Sequence, residues 1–195
     1  MALIVTLITG PAEEPVTVAE AKAHLRVDLP DDDALIEGLI IAARQWVEQY
    51  ARRALVTQTW ELRADGWPAS QFYLPWSPLA GVTSITGTDD DGNETVVSSG
   101  NYMVDTASEP GRVTLKSSVA WPGTTVRPAG FAVRYVAGYG GVGNVPRVFK
   151  QAILLITGHL YENREEVTVS GMTAATLPMG VKALLWPYRV MRFDV

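Results

Sequence analysis

The stretch from Asp31 to Ala54, DDDALIEGLIIAARQWVEQYARRA, constrains the fold more than any other part of the chain. Leu35, Ile36, Leu39, Ile40, Ala43, Val47, Tyr50 and Ala54 recur at steps of three and four, which winds them into one stripe on a 3.6-residue helix. The stripe is wide enough to need more than one partner. Pro30 and the carboxylates of Asp31–Asp33 mark the helix start, where unpaired amides and the positive dipole end favour negative charge. Glu48 and Arg52 stand four apart in the favourable order and are placed on the solvated side.

With 195 residues the chain can bury a real core, as one elaborated domain or two small ones. A 47% hydrophobic share with 19% charged residues speaks against disorder. Cysteine is absent, so disulfides, thiolate metal sites and a cysteine nucleophile are excluded. A net charge of −5 argues against holding duplex nucleic acid by charge neutralisation. The opening MALIVTLI is apolar but too short to span a bilayer and lacks the flanks of a signal peptide. It is read as an extended segment.

Thr17 and Glu20 form a capping box before a short helix over about Val18–Arg26. After Ala54 the apolar period changes from 3.6 to 2, and strands are expected at Val56–Ala64, Gln71–Leu74, Val82–Thr88, Glu94–Ser98, Tyr102–Asp105, Arg112–Leu115 and Phe131–Val136. Asp91-Gly92 is a hairpin signal. This middle region reads as an antiparallel sandwich or partly open barrel. RVFKQAILLITGHLYENRE then predicts a second long helix, with Val148, Ala152, Leu155, Ile156, His159 and Leu160 in its stripe, as the partner of the first. Val167–Thr176 reads as a loop, Pro178–Trp186 as a last short helix, and residues 188–195 as a terminal arm.

The expected class is therefore α+β. A discontinuous helical bundle, residues 1–55 and 144–187, carries an inserted antiparallel β-rich subdomain, 56–137, through a glycine hinge at 138–143, and ends in a C-terminal arm, 188–195.

Few constellations suggest chemistry. Gly138, Gly140 and Gly143 match G-x-G-x-x-G, but Asn144, Val145 and Pro146 separate the last glycine from the helix, so a pyrophosphate would miss the helix N-terminus. Gly138, Gly140, Gly141 and Gly143 are read instead as the hinge. Asp89-x-Asp91-x-Asn93 resembles a calcium-loop start, yet glycine falls at the wrong position and Gly100 stands where the closing carboxylate belongs. His24 and His159 are read as packed or half-exposed helical residues, and there is no G-x-S-x-G elbow. No catalytic residue, metal site or cofactor is assigned. Trp67, Phe72, Tyr73, Trp76 and Trp121 lie beside prolines or loop edges, either plugging the β region or serving as interface anchors.

The segments EPVTVAEAKAHLRVDLPDDDALIEGLIIAARQWVEQYARRAL, TQTWEL and NVPRVFKQAILLITGHLYENRE resemble the head-tail connector, or adaptor, proteins of long-tailed bacteriophages, prophages and phage-like gene transfer agents. The resemblance covers about residues 13–63 and 144–166, with the β region and C-terminus similar in general character. It implies a non-enzymatic virion protein, made in the bacterial cytoplasm and placed in the particle neck. Its implied partners are the portal protein, the next tail component (a stopper or tail terminator) and further copies of itself in a ring of about twelve. DNA would pass through the channel without specific binding, and no membrane is involved.

Tyr188, Arg189, Val190, Met191, Arg192 and Phe193 alternate apolar and basic groups after Pro187. They are expected to form an extended arm reaching the portal or a neighbouring subunit. Deleting 188–195 should then leave the monomer fold intact. Two other function classes stay open from the residues alone: a nucleotide-binding oxidoreductase using the glycine run, and a carbohydrate-binding β module using the loop aromatics.

Overall fold

The computed structural model describes residues 3–122, 126–163 and 179–191. It is mixed α+β, with helices α1 (Val18–Leu25), α2 (Asp33–Ala51), α3 (Arg147–Glu162) and α4 (Met179–Leu185). The strands are β1 (Leu3–Thr9), β2 (Gln58–Gly66), β3 (Gln71–Tyr73), β4 (Leu79–Thr88), β5 (Glu94–Val96), β6 (Tyr102–Asp105), β7 (Arg112–Leu115) and β8 (Val126–Ala137). Of the described residues, 3–12, 57–139 and 190–191 form one compact unit and 13–56 and 140–189 another.

The helical unit follows its sequence patterns, with informative shifts. The Thr17 hydroxyl accepts the Glu20 amide at 3.1 Å while the Glu20 carboxylate accepts the Thr17 amide at 2.8 Å, closing the capping box and starting α1. The acidic start of α2 works differently from expectation. Pro30–Asp32 form a 3-10 turn, and no side-chain cap hydrogen bond is made by Asp32. Asp33 instead pairs with Lys22 of α1 at 2.6 Å, and Asp32 accepts the Tyr161 hydroxyl of α3. α2 buries Ile36, Ile40, Ala43, Val47 and Ala51, and α2 packs on α3 as its pattern required. On α3 the buried set is Phe149, Ala152, Ile153, Ile156 and Thr157, so the stripe is rotated from the expected one and Leu155 is exposed.

Glu48 is also placed differently from its reading. It is buried, bonded to Arg44 at 2.7 Å and to the Leu55 amide at 2.9 Å, while Arg52 adopts the left-handed conformation that ends α2.

The sheet unit has two antiparallel sheets, ordered β1-β2-β8-β4-β5 and β3-β7-β6. In the larger sheet Leu62, Val133 and Ile85 stand in register, as do Trp60, Tyr135 and Val82, so one face is apolar. Phe72 of the smaller sheet meets Phe131 of the larger edge-on at 5.6 Å, within a cluster completed by Trp67 and Trp121. Gly87 lies under the Trp67 ring, where any Cβ would collide with it. Asp91-Gly92 turns the β4–β5 hairpin, with Gly92 at φ +92°.

The first residues depart from the expected organisation. MALIVTLI was assigned to the helical bundle, yet Leu3–Thr9 is the edge strand of the five-stranded sheet and belongs to the sheet unit. An alternating-free apolar run gave no period to identify its partner. The expected loop at Val167–Thr176 lies outside the described residues.

Candidate assembly surface

The width of the α2 stripe has a structural outcome. Its Ile36–Val47 side is buried, while Leu35 is exposed and Leu39, Trp46 and Tyr50 are half-buried along the adjoining side. At the far end of this second side, Trp46 and Tyr50, one turn apart, stack at 5.1 Å with rings 8° from parallel. The Arg189 guanidinium lies 5.4 Å from the Tyr50 ring centre and 5.9 Å from that of Trp186. Trp186 remains 54% exposed. Tryptophan, tyrosine and arginine are the residue types that most often anchor protein interfaces, because each presents a large contact area at low conformational-entropy cost.

The residues expected in the arm divide here. Tyr188 sits in the 3-10 turn Trp186–Tyr188, its ring edge-on to Phe149 at 5.6 Å and its carbonyl accepting from Arg53 Nε at 2.6 Å. Arg189 is held in the aromatic stack, Val190 is only 5% exposed, and Met191 is exposed. Residues 188–190 are thus part of the fold rather than a free extension. Arg192 and Phe193 lie outside the described residues. The sequence reading missed Trp46 and Trp186, and took Tyr50 as core. The signal was available in the i, i+4 spacing of Trp46 and Tyr50.

The glycine run separates two backbone states. Gly138 and Gly140 have φ of +130° and +103°, which side chains disfavour, whereas Gly141 starts a 3-10 turn over Val142–Asn144 at φ −74°. Residues 138–146 lie between β8 and α3, and β8 is antiparallel to both its neighbours, so the parallel crossover of a dinucleotide fold is not what this run completes. The unit boundary falls between Tyr139 and Gly140.

The other candidates are occupied by structural work. Asp89 accepts the Asn93 amide and side chain at 2.8 and 3.0 Å, closing its own hairpin, and those bonds hold its carboxyl below the usual range. Trp76 stacks on Trp60 at 4.3 Å, and Trp67, Phe72 and Trp121 pack on one another, which leaves Tyr73 as the exposed member of the loop aromatics. Burial raises the Tyr135 hydroxyl well above the usual phenol range, so it stays neutral. No described helix is long and apolar enough to cross a membrane.

No curated protein matches the sequence. Among solved structures, the fold matches a chain in the virion of a native gene transfer agent particle, with 26% identity over 98% of this chain and 97% of that one and a TM-score of 0.78. A chain from the neck of an empty gene transfer agent particle, computed with C6 symmetry, matches at 26% identity and TM-score 0.77, with the same coverages. A chain from the native neck, computed with C12 symmetry, matches at 24% identity and TM-score 0.76 over 98% and 97% of the two chains. The family model for head completion proteins matches residues 14–191, which takes in every described element of the α+β arrangement except β1. The chain therefore belongs to the head completion protein family, with a structural role in the neck of a phage-like particle.

Proposed function

We propose that copies of this chain form a ring of about twelve beneath the portal, joining it to the next tail component while DNA passes through the channel. The observation that carries this reading is the Trp46–Tyr50–Arg189–Trp186 stack. It gathers interface-type side chains on the helical unit, and Arg189 within it stands just before Met191. In this reading the stack and the residues from Met191 onward, including Arg192 and Phe193, meet the portal or a neighbouring copy. Gly138–Gly143 act as the hinge between the two units.

The half-exposed side of α2 supplies further contact area of the kind repeated copies bury. A net charge of −5 suits a channel along which DNA slides, since a basic wall would bind the phosphates and release their counterions. The related chain in a neck of sixfold imposed symmetry supports repeated copies around an axis.

The test is to mix the purified protein with purified portal and examine the product by sedimentation and electron microscopy. A ring of added density on one end of the portal is expected. Bare portals at saturating protein would overturn the reading.

A further inference from the structure

One end of the five-stranded sheet is β1, Leu3-Ile4-Val5-Thr6-Leu7-Ile8-Thr9. Its inner edge pairs with β2 from Leu3↔Ala64 to Leu7↔Trp60, and no described strand pairs with its outer edge. Edge strands are ordinarily protected by charges, prolines or short length, because their unpaired N–H and C=O groups recruit other strands. β1 has seven residues and none of these charges or prolines. Leu3 and Leu7 share the face of Ala64 and Trp60, whereas Ile4 shares the face of Arg63. Leu3, Ile4, Leu7 and Ile8 are each between 43% and 51% exposed. The other end of the sheet is unlike it: β5 has three residues and carries Glu94.

We propose that β1 is the seam between neighbouring subunits, its free edge adding a strand from a second copy of this chain. This rests on the ring reading above. A second copy is the occupant that fits, because an uncharged strand, apolar on both faces, suits a contact that never separates, and permanent interfaces are the more apolar ones. A closed ring also covers the β1 of every copy, since each has a neighbour on that side. Cyclic symmetry beyond a dimer requires a heterologous contact. The outer edge of β1 therefore meets a different segment of the next subunit, and the dissimilar ends of the sheet are consistent with such head-to-tail joining.

The natural absence of cysteine permits a clean test. Ile4→Lys and Leu7→Lys, each adding a charge to one face, are compared with wild type by native mass spectrometry, with thermal melting as the fold check. In parallel, Thr6→Cys carrying a photo-crosslinker reports what lies against β1 in the assembled protein. The expected result is folded lysine variants that need at least tenfold higher concentration to assemble, with cross-links from Thr6→Cys to a segment of a second copy outside residues 3–9.

Folded variants that assemble as wild type does, or cross-links joining two β1 strands, would overturn the seam. Where a lysine variant does not fold, the cross-link map decides. A wild type that stays monomeric alone yet docks onto the portal removes the seam and leaves the connector reading standing. Rings that ignore the portal do the reverse.

Discussion

Arg44 and Glu48, one turn apart on the buried side of α2, form an ion pair of 2.7 Å. Arg44 also binds Glu14 at 2.8 Å, and Glu48 accepts the Leu55 amide at 2.9 Å. The pair thereby ties the chain entering the helical unit to the chain leaving it. Removing Glu48 leaves Arg44 paired with Glu14 alone and takes from the Leu55 amide its carboxylate acceptor, so the cost falls below the roughly 3–5 kcal/mol of a fully stranded buried charge. Glu48→Ala should lower the urea midpoint accordingly, and Glu48→Gln, which keeps an acceptor for Leu55, should lower it less. Equal midpoints for wild type and Glu48→Ala would mean the network is not structural.

The helical core makes a graded prediction. Ile40 is fully buried and Leu39 only partly, so Ile40→Ala should cost about 2–5 kcal/mol through the cavity it leaves and Leu39→Ala clearly less. Chemical denaturation of the two variants checks the order.

Much of this unit was legible in the sequence because helices announce themselves: the capping box, the start near Asp33 and the α2–α3 pairing all follow from local chemistry and period. The burial of Glu48 did not, since an i, i+4 pattern gives Glu48 two equivalent partners, Arg44 and Arg52, and only the tertiary surroundings choose. β1 was read as extended but not placed, because an apolar run names no partner. Between Gln71 and Leu115 the turn residues locate every strand, and Tyr102–Asp105 and Arg112–Leu115 agree to the residue, whereas β4 begins at Leu79 rather than Val82 and β5 ends at Val96 rather than Ser98. The proposed assembly surface is half visible in the sequence: Tyr188 and Arg189 stand out there, but as a free arm, Tyr50 falls in the core stripe, and Trp46 enters neither reading.

The chain end can be dissected by truncation. Because the Tyr188 carbonyl accepts from Arg53 and Arg189 sits over Tyr50, deleting 188–195 should lower the melting temperature clearly more than deleting 191–195 does. Thermal melts of both proteins distinguish a folded 188–190 from a free arm.

The glycines are not equivalent. Gly140 has φ +103° and a Cβ there would lie 3.0 Å from Asn144 Nδ2, whereas a Cβ at Gly143 meets open space. Gly140→Ala should cost about 1–3 kcal/mol of strain and Gly143→Ala almost none, measured by denaturant midpoint.

Acid should act through Glu61. Burial would raise its carboxyl, but Arg134 at 2.8 Å and Arg63 at 2.7 Å outweigh that and hold it below the usual range. A folded-state value below the unfolded one means the stabilisation is fully present above about pH 4.3, the ordinary glutamate value, and is lost as pH falls through the lower folded value. Glu61→Gln should flatten that part of the stability–pH curve.

For a neck component that readies the head for its tail, the decisive measurement is particle assembly without this chain. Heads made in its absence should carry portals but no tails, and adding the purified protein should restore tail attachment in a reconstitution scored by electron microscopy. Trp186→Ala, changing a 54% exposed side chain, should fold normally yet restore it poorly. Fully tailed particles formed without the chain would contradict the account.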